Sequence, residues 1–237
     1  MEPAEYALMD AAEARMWWYR ALHTRLVAAL HGIHGTVLDA GCGTGGLLAV
    51  LRTRRPDLAM VGIEWSPQAA CRAASKSGGA IVRGTVNAMP FGDASFSAVI
   101  TADVLCHGAV DPAAALAELK RVLRPGGRLI VNLPAYRWLL SAHDRRVHNV
   151  RRYTSGQTMR LLQHSGFAQI RARYWNGLLL PLMIAHRKLL AGPDDASDVA
   201  AFPPWLDATL HGMTSIERLI PFPLPAGGSV LATAERP

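Results

Sequence analysis

The sequence predicts an α/β fold with a doubly wound, mostly parallel sheet of seven strands. Strands and helices alternate up to residue 134, and this alternation places helices on both faces of a parallel sheet. Residues 36–46 form the first such unit, because an apolar strand runs into a glycine-rich turn and then into leucines at helical spacing. With 237 residues, of which 50% are apolar and 18% charged, the chain suits one large domain with a sizeable core.

The remaining elements follow from caps, turns and periodicity. A helix is predicted over residues 4–31, and Ser66 and Asp111 each supply an N-cap before a proline in the first helical turn. Thr154 and Gln157 form a capping box at the start of another helix. Strands are predicted at 36–40, 60–64, 81–82, up to 101, 128–134, 168–173 and 229–234, with a helix-stopping turn at 124–127 and a helix at 206–219. We therefore expect helical residues 1–35, a ligand-binding domain over 36–237 and, within it, an apolar insertion at about 174–226.

The glycine-rich turn is the strongest functional signal. As Gly41-x-Gly43-x-x-Gly46 it satisfies the dinucleotide fingerprint, in which the turn faces a pyrophosphate. Asp39 stands at the carboxyl end of the strand, two residues before the first glycine, and its carboxylate would repel a pyrophosphate. The same carboxylate suits a ligand with an ammonium and a sulfonium group, such as S-adenosylmethionine. The turn contains no lysine or arginine that would bind a phosphate.

The stretch Val-Leu-Asp-Ala-Gly-Cys-Gly-Thr-Gly at 37–45 resembles the first motif of class I S-adenosylmethionine-dependent methyltransferases of the small-molecule type. The helix, Pro-Gly-Gly turn and strand at 112–134 resemble the same stretch of that family. The resemblance implies a Rossmann-like sheet ending in an antiparallel hairpin, a helical lid over 1–35, S-adenosyl-L-methionine as cofactor and S-adenosyl-L-homocysteine as product. It assigns cofactor contacts in the turn to Asp39, Gly41, Cys42, Gly43 and Gly45.

The second strand ends at Glu64, about 20 residues beyond the turn, where an acid can accept both ribose hydroxyls of an adenosine group. Trp65 beside it is a candidate to pack on the adenine. Proteins of the resembling family commonly carry an aspartate for the adenine amino group where this chain has Thr85, followed by Val86 and Asn87. The Thr85 hydroxyl or the Asn87 amide would take that role here.

The N-terminal helix carries the aromatic cluster Trp17-Trp18-Tyr19, and Arg20 follows this cluster directly. In the resembling family such a helix often covers the cofactor pocket, so Trp18 would cover the site and Arg20 would meet the methionine carboxylate. An amphipathic helix with buried aromatics and a solvated Arg20 fits the sequence equally well.

Two further groups of polar residues follow strands four and five. Asp103 and His107 lie at the tip of strand four, where they would face the cofactor, and His107 is a candidate base or a structural histidine. Beyond strand five, His143 with Asp144 would form a base raised in basicity by the carboxylate. The candidate substrate-binding residues of that loop are Tyr136, His148, Arg151, Arg152 and Tyr153, with the two arginines anchoring an anionic group. A polar surface loop whose arginines cap helix ends is the alternative.

Residues 175–190 are apolar but too short to span a bilayer, and Pro181 and Arg187 interrupt them. They suit a lid over an amphiphilic substrate or a peripheral membrane contact. Buried core or a homodimer face is the alternative, and the sequence favours it slightly. The net charge of +7 comes without basic runs interleaved with aromatics, so nucleic acid is not an expected partner. Three cysteines without metal or redox spacing predict no metal site, and the acidic N-terminus is unlike a signal peptide, so a cytoplasmic location is expected.

The sequence therefore favours an S-adenosylmethionine-dependent methyltransferase that acts on a small molecule or amphiphile, with O-methylation as the hypothesis for the chemical step. Two other classes stay open. One is an NAD(P)-binding oxidoreductase that uses the same glycine turn, and the other is a non-catalytic S-adenosylmethionine-binding protein.

Overall fold

A computed structural model describes residues 3–185, 187 and 202–237 of the chain. The aspartates and prolines at 192–205 also predict a loop. This loop and the end of the apolar segment at 175–190 lie largely outside the described residues. The helices are α1 Pro3–Ala12, α2 Trp17–Ala29, α3 Gly46–Arg54, α4 Pro67–Ser77, α5 Pro112–Val122, α6 Ala142–Arg146, α7 Ser155–His164, α8 Leu180–Ala185 and α9 Pro204–Ile216. The strands are β1 Gly35–Ala40, β2 Leu58–Glu64, β3 Ala80–Arg83, β4 Phe96–Ala102, β5 Leu123–Pro134, β6 Ala168–Trp175 and β7 Ser229–Glu235.

The seven strands form one sheet in the order β3-β2-β1-β4-β5-β7-β6. The first five strands pair in parallel, whereas β7 runs antiparallel to both β5 and β6. This arrangement confirms the predicted doubly wound sheet with its terminal hairpin. Because β1, β2 and β4 are parallel neighbours, their carboxyl ends meet at one edge of the sheet, where ligands bind in such folds.

Three predicted helix starts are present. The Ser66 hydroxyl accepts the Ala69 N–H at 3.3 Å, and the Asp111 carboxylate accepts the Ala113 N–H at 2.9 Å. Thr154 and Gln157 cap α7 reciprocally, since each side chain accepts the backbone N–H of the other residue. These local bonds satisfy N–H groups that a helix leaves unpaired and fix where each helix begins.

Two element predictions were wrong in detail. The N-terminal helix predicted over 4–31 is two helices, α1 and α2, because the chain bends at 13–16. The turn at 124–127 does not separate α5 from β5, since β5 begins at Leu123 and runs through it. The pairing register with β4 slips there, and Gly126 takes a φ of +73°, which accommodates the extra residues.

Apolar clusters fill both faces of the sheet. One packs β-strand side chains against α5 and α7, and the other packs them against α2 and α3. The chain between β6 and β7 attaches to α2, because Leu179 and Leu210 pack on Trp17. We refer to residues 176–226 as the insertion. Among the residues that the structure describes, no helix is long and apolar enough to cross a membrane.

Candidate functional site

The glycine turn is held tightly against its neighbours. The Gly41 and Cys42 N–H groups donate to the Ile63 carbonyl of β2 at 2.9 and 3.0 Å. Gly45 has a φ of +88°, and a Cβ atom there would lie 2.7 Å from the Ala73 Cα of α4. A side chain at Gly41 would likewise collide with Val104, which follows β4. Glycine is required at these positions because the turn adopts left-handed backbone angles and is packed from both sides.

Two carboxylates lie beside the turn. Asp39 is 3% exposed at the end of β1, where burial raises its pKa to about 7, and Glu64 and Glu13 add to the rise. Glu64 at the end of β2 accepts the Gly43 N–H at 3.0 Å and the Ser66 N–H at 2.9 Å. The cleft therefore concentrates negative charge, and a cationic ligand would relieve the cost of burying it.

The N-terminal helix α1 covers this cleft. The Tyr6 hydroxyl donates to Glu64 Oε1 at 3.3 Å, and burial raises the pKa of Tyr6 to about 12. Met9 packs against Gly43. Glu13, just after α1, accepts the Thr44 hydroxyl at 2.8 Å and pairs with Lys76 of α4. Sequence reasoning missed Tyr6 and Glu13, because a tyrosine and an acid in an acidic helix carry no local sign of the partners they meet.

Contacts of Trp18 and Arg20 join the N-terminal part of the chain to β6 and to the insertion. Trp18 stacks on Trp175 with ring centroids 6.0 Å apart. Arg20 forms an ion pair with Asp207 of α9 at 3.3 Å, and the Trp17 N–H also donates to Asp207. The Arg20 guanidinium is thus paired with an acid of the insertion, and its predicted contact with the methionine carboxylate stays a prediction.

The residues predicted around the adenine differ in their surroundings. Trp65 is 73% exposed next to Glu64. Val86 is buried core, and the Thr85 hydroxyl accepts the Asn87 N–H at 3.2 Å. The Asn87 amide donates to the Ala109 carbonyl and accepts the Asp111 N–H, both at 3.1 Å. Both ends of the Asn87 amide therefore bind the backbone of the loop at 109–111. The sequence had predicted a contact of this amide with adenine.

Asp103 lies at the tip of β4 with a φ of +55°. The Asn132 amide of β5 donates to both carboxylate oxygens of Asp103, at 3.0 and 3.2 Å. The Trp175 indole N–H in turn donates to Asn132 Oδ1 at 2.9 Å. Burial raises the pKa of Asp103 to about 7, and the Asn132 hydrogen bonds oppose the rise. Sequence reasoning missed Asn132 and Trp175.

The other candidate after β4, His107, is fixed in a network of backbone contacts. Burial lowers its pKa to about 4, so its ring is neutral at physiological pH. Arg151 donates to the carbonyls of His107 and Val110, at 2.7 and 3.1 Å. Arg151 therefore stabilises this loop through two backbone carbonyls, whereas the sequence predicted that it anchors an anionic group of the substrate.

Arg152 and Asp144 form a buried ion pair, which corrects two sequence predictions. Arg152 Nη2 lies 2.9 Å from Asp144 Oδ2, and Arg152 also donates to the Ala135 carbonyl at 3.0 Å. Burial acts to raise the pKa of Asp144, but Arg152 outweighs it and holds the pKa below its ordinary value. Asp144 caps α6 through Ser141 as well. Its carboxylate is thus committed to Arg152, so Arg152 is not a free substrate anchor.

Glu5 lies beside His143, whereas the carboxylate of Asp144 pairs with Arg152. Glu5 is 4% exposed on α1, and its Oε2 lies 3.8 Å from His143 Nδ1. Helix α1 therefore reaches from the glycine turn to the loop beyond β5. Sequence reasoning missed this pair because 138 positions separate the two residues along the chain.

The remaining candidates of the loop have mainly structural contacts. Tyr136 stacks on Tyr174 with centroids 5.4 Å apart, and burial raises the pKa of Tyr136 to about 12. The Tyr153 hydroxyl donates to the Leu105 carbonyl at 3.2 Å. His148 is exposed, with a φ of +58°. Within residues 3–185, 187 and 202–237, no cluster of histidine, cysteine and acidic residues could hold a metal ion.

Comparison with known proteins agrees with this geometry. Residues 38–131 match the family model described as a methyltransferase domain. A methyltransferase of Thermotoga maritima superposes with a TM-score of 0.67 at 20% identity, covering 99% of this chain and 95% of its own. Phosphoethanolamine N-methyltransferase 2 of Haemonchus contortus, solved with S-adenosyl-L-methionine, superposes with a TM-score of 0.62 at 15% identity, covering 91% and 52%.

Curated relatives match over a shorter stretch. Demethylmenaquinone methyltransferase of Thermus thermophilus is 40% identical over 40% of this chain and 45% of its own. Malonyl-[acyl-carrier protein] O-methyltransferase of Herminiimonas arsenicoxydans is 38% identical over 45% of this chain and 40% of its own. The chain thus spans less than half the length of these relatives.

The seven-stranded sheet has the fold of class I S-adenosylmethionine-dependent methyltransferases, and residues 38–131 within it match the methyltransferase domain model. S-adenosyl-L-methionine is the cofactor of this class, and neighbours with the same fold were solved with it. The cleft fits that molecule, because buried carboxylates at the ends of β1 and β2 face a bare glycine turn with no cation for a phosphate.

Proposed function

We propose that this protein transfers the methyl group of S-adenosyl-L-methionine to an oxygen atom of an amphiphilic small molecule. The observation that carries the proposal is the pair of buried acids, Asp39 and Glu64, at adjoining strand ends around the glycine turn. When bound, the cofactor supplies an electrophilic methyl group on a positively charged sulfonium. Asp39 would hold the ammonium of its methionine part, and Glu64 would hold the ribose.

The electrostatics of the cleft favour this proposal over a dinucleotide oxidoreductase. Burial raises the pKa of Asp39, and the neighbouring charges of Glu64 and Glu13 raise it further. A pyrophosphate would add two negative charges to the same space, whereas a cationic ligand compensates the acids. A non-catalytic S-adenosylmethionine-binding protein would share this cleft and is distinguished by the transfer assay below.

The proposed acceptor follows from the insertion and from its relatives. Leu182, Trp205 and Leu219 of the insertion are 56%, 71% and 81% exposed, so this part of the described surface is apolar. Relatives and neighbours carry names for demethylmenaquinone and geranyl diphosphate methyltransferases, which favours an acceptor with an apolar portion. We propose a cytoplasmic protein that meets such an acceptor at a membrane surface; a homodimer that buries the same side chains is the competing arrangement.

The transfer assay uses radiolabelled S-adenosylmethionine, purified protein and a cell extract, with the products partitioned between organic and aqueous phases. We expect label in the organic phase that depends on active protein, with boiled protein as the control. Label in the aqueous phase alone would contradict the amphiphilic acceptor. Cofactor binding without any transfer would contradict the enzymatic proposal.

Oxygen as the accepting atom rests on His143, which would remove the hydroxyl proton while Glu5 supports its positive charge. Glu5→Gln is expected to lower the pKa of His143 by about one unit, because the protonated ring loses a nearby anion. Nuclear magnetic resonance titration of labelled histidine measures this shift directly.

Asp10→Asn is the matched control for that titration, since Asp10 is also an acid of α1 but pairs with Lys76 of α4. We expect the His143 titration to remain unchanged in this variant. An unchanged His143 pKa in Glu5→Gln would remove the support that Glu5 gives to a base at His143.

A further inference from the structure

A chain of buried polar groups links the insertion to the tip of β4. Trp175 is the last residue of β6 and 4% exposed, and Asn132 in β5 is fully buried. The indole N–H of Trp175 donates to Asn132 Oδ1, and the Asn132 amide donates to both oxygens of Asp103. Because the indole occupies the oxygen of Asn132, the amide nitrogen must face Asp103.

At the other end of this series of hydrogen bonds, neighbouring side chains hold Trp175 in place. The guanidinium of Arg25 lies 4.5 Å from the ring centroid of Trp175, and Arg25 pairs with buried Glu217 at 3.3 Å. Glu217 also accepts the N–H groups of Asn176 and Leu178, at 2.8 and 2.7 Å. The ring of Trp175 is thus fixed by a cation on its face and by the start of the insertion beside it.

Asp103 stands where the two halves of the candidate site meet. Val104, its neighbour, packs against Gly41 of the glycine turn. On the other side, the Cys106 thiol lies 3.1 Å from the side-chain oxygen of Asn149, which belongs to the loop beyond β5. A residue with a positive φ that is not glycine stores strain, and such conformations persist where surrounding contacts hold them.

We infer that Asn132 and Trp175 are positioning residues that fix the carboxylate of Asp103 between the cofactor cleft and the loop beyond β5, residues 136–153. The amide of Asn132 stabilises the ionised carboxylate by two hydrogen bonds and sets the direction of its free lone pairs. Trp175 prevents the amide from turning its oxygen towards Asp103, which would repel the carboxylate. Asp103 is thereby available as an anionic acceptor for a cationic or hydroxyl-bearing group of a ligand. The inference rests on the proposed function only for the identity of that ligand.

Titration of Asp103 tests the inference without any methyl-transfer assay. Carboxyl-labelled aspartate is followed by nuclear magnetic resonance as a function of pH, and Asp103→Asn assigns the signal. Asn132→Ala is expected to raise the pKa of Asp103 by about one unit or more, because burial then acts without the two compensating hydrogen bonds. Trp175→Phe retains the ring under Arg25 but removes the N–H, and we expect a smaller rise in the same direction.

Trp18→Phe is the matched control, since Trp18 stacks on Trp175 without donating to Asn132. It is expected to leave the Asp103 titration unchanged. The affinity for sinefungin, measured by calorimetry at pH 7.5, is expected to fall several-fold in Asp103→Asn and in Asn132→Ala. If both Asn132→Ala and Trp175→Phe titrate like the wild type, the positioning role is wrong even if methyl transfer is demonstrated. If Trp175→Phe raises the pKa while Asp103→Asn binds sinefungin and turns over normally, Asp103 is positioned for no ligand and the inference is likewise overturned.

Discussion

Asp39→Asn is expected to stabilise the protein and to weaken its binding of S-adenosylmethionine at the same time. The native carboxyl is 3% exposed and lies near two other acids, so ionising it costs free energy in the folded protein. Its pKa of about 7 compares with an ordinary value of 3.8. This difference corresponds to a destabilisation on the order of 2 to 4 kcal/mol when the carboxylate is fully ionised.

The gain in stability from Asp39→Asn depends on pH. Below about pH 4 the carboxyl is protonated in both the folded and the unfolded chain, so Asp39→Asn changes little. As the pH rises towards 7, the unfolded chain ionises freely while the folded protein retains the proton, and the wild type loses stability. The advantage of the asparagine variant therefore grows between pH 4 and 7 and is constant above. Urea unfolding at several pH values measures this dependence.

In the proposed function, the same substitution removes the carboxylate that holds the ammonium group of the cofactor. Loss of one member of such a pair costs 2 to 5 kcal/mol, so we expect S-adenosylmethionine to bind roughly a hundredfold more weakly. In the wild type, affinity should rise with pH up to about 7 as Asp39 ionises. Asp93→Asn, which alters an exposed acid, is the control and should change neither property. A stable Asp39→Asn variant with native affinity would exclude Asp39 from the cofactor site.

Arg152→Ala is expected to lower the free energy of unfolding by about 3 to 5 kcal/mol. Its guanidinium is buried and holds Asp144 through Nε and Nη2, together with the Ala135 carbonyl. The substitution leaves the Asp144 carboxylate buried without its main partner, which is more costly than the loss of a surface ion pair. Chemical denaturation measures the effect.

A double-mutant cycle with Asp144→Asn separates the pair from general damage. The double variant should be less destabilised than the sum of the two single variants, because each single variant leaves an unpaired charge. Arg151→Ala provides the matched control, since that arginine donates to two backbone carbonyls. An Arg152→Ala variant with native stability but a raised KM for the acceptor would restore Arg152 as a substrate anchor.

The positions of Asp39 and Glu64 were predictable because parallel strands impose them. β1 and β2 pair in register, so an acid at the end of each strand must lie at the same edge of the sheet. The glycine turn was predictable for a similar reason, since its residues have backbone requirements that only glycine meets. In these cases a local pattern determines the position in three dimensions.

The contacts of Tyr6, Asn132 and Arg152 were not predictable from local patterns. Tyr6 meets Glu64 across 58 positions, and Trp175 meets Asn132 across 43. The sequence around Arg152 would be the same for an arginine that binds a substrate and for one that pairs with a buried acid, here Asp144, eight residues earlier. Only the burial of Arg152 and Asp144 distinguishes the two roles.

Helix α1 contacts two separate parts of the candidate site, the glycine turn and the loop beyond β5. Tyr6 donates to Glu64 beside the glycine turn, and Glu5 lies 3.8 Å from His143 in the loop beyond β5, so α1 cannot leave one partner without disturbing the other. Under the proposed function, departure of S-adenosylhomocysteine from the cleft would require α1 to move, and this movement would also separate Glu5 from His143. The rate of methyl transfer would then depend on how fast the ten residues of α1 leave and return, which a dependence on solvent viscosity would reveal.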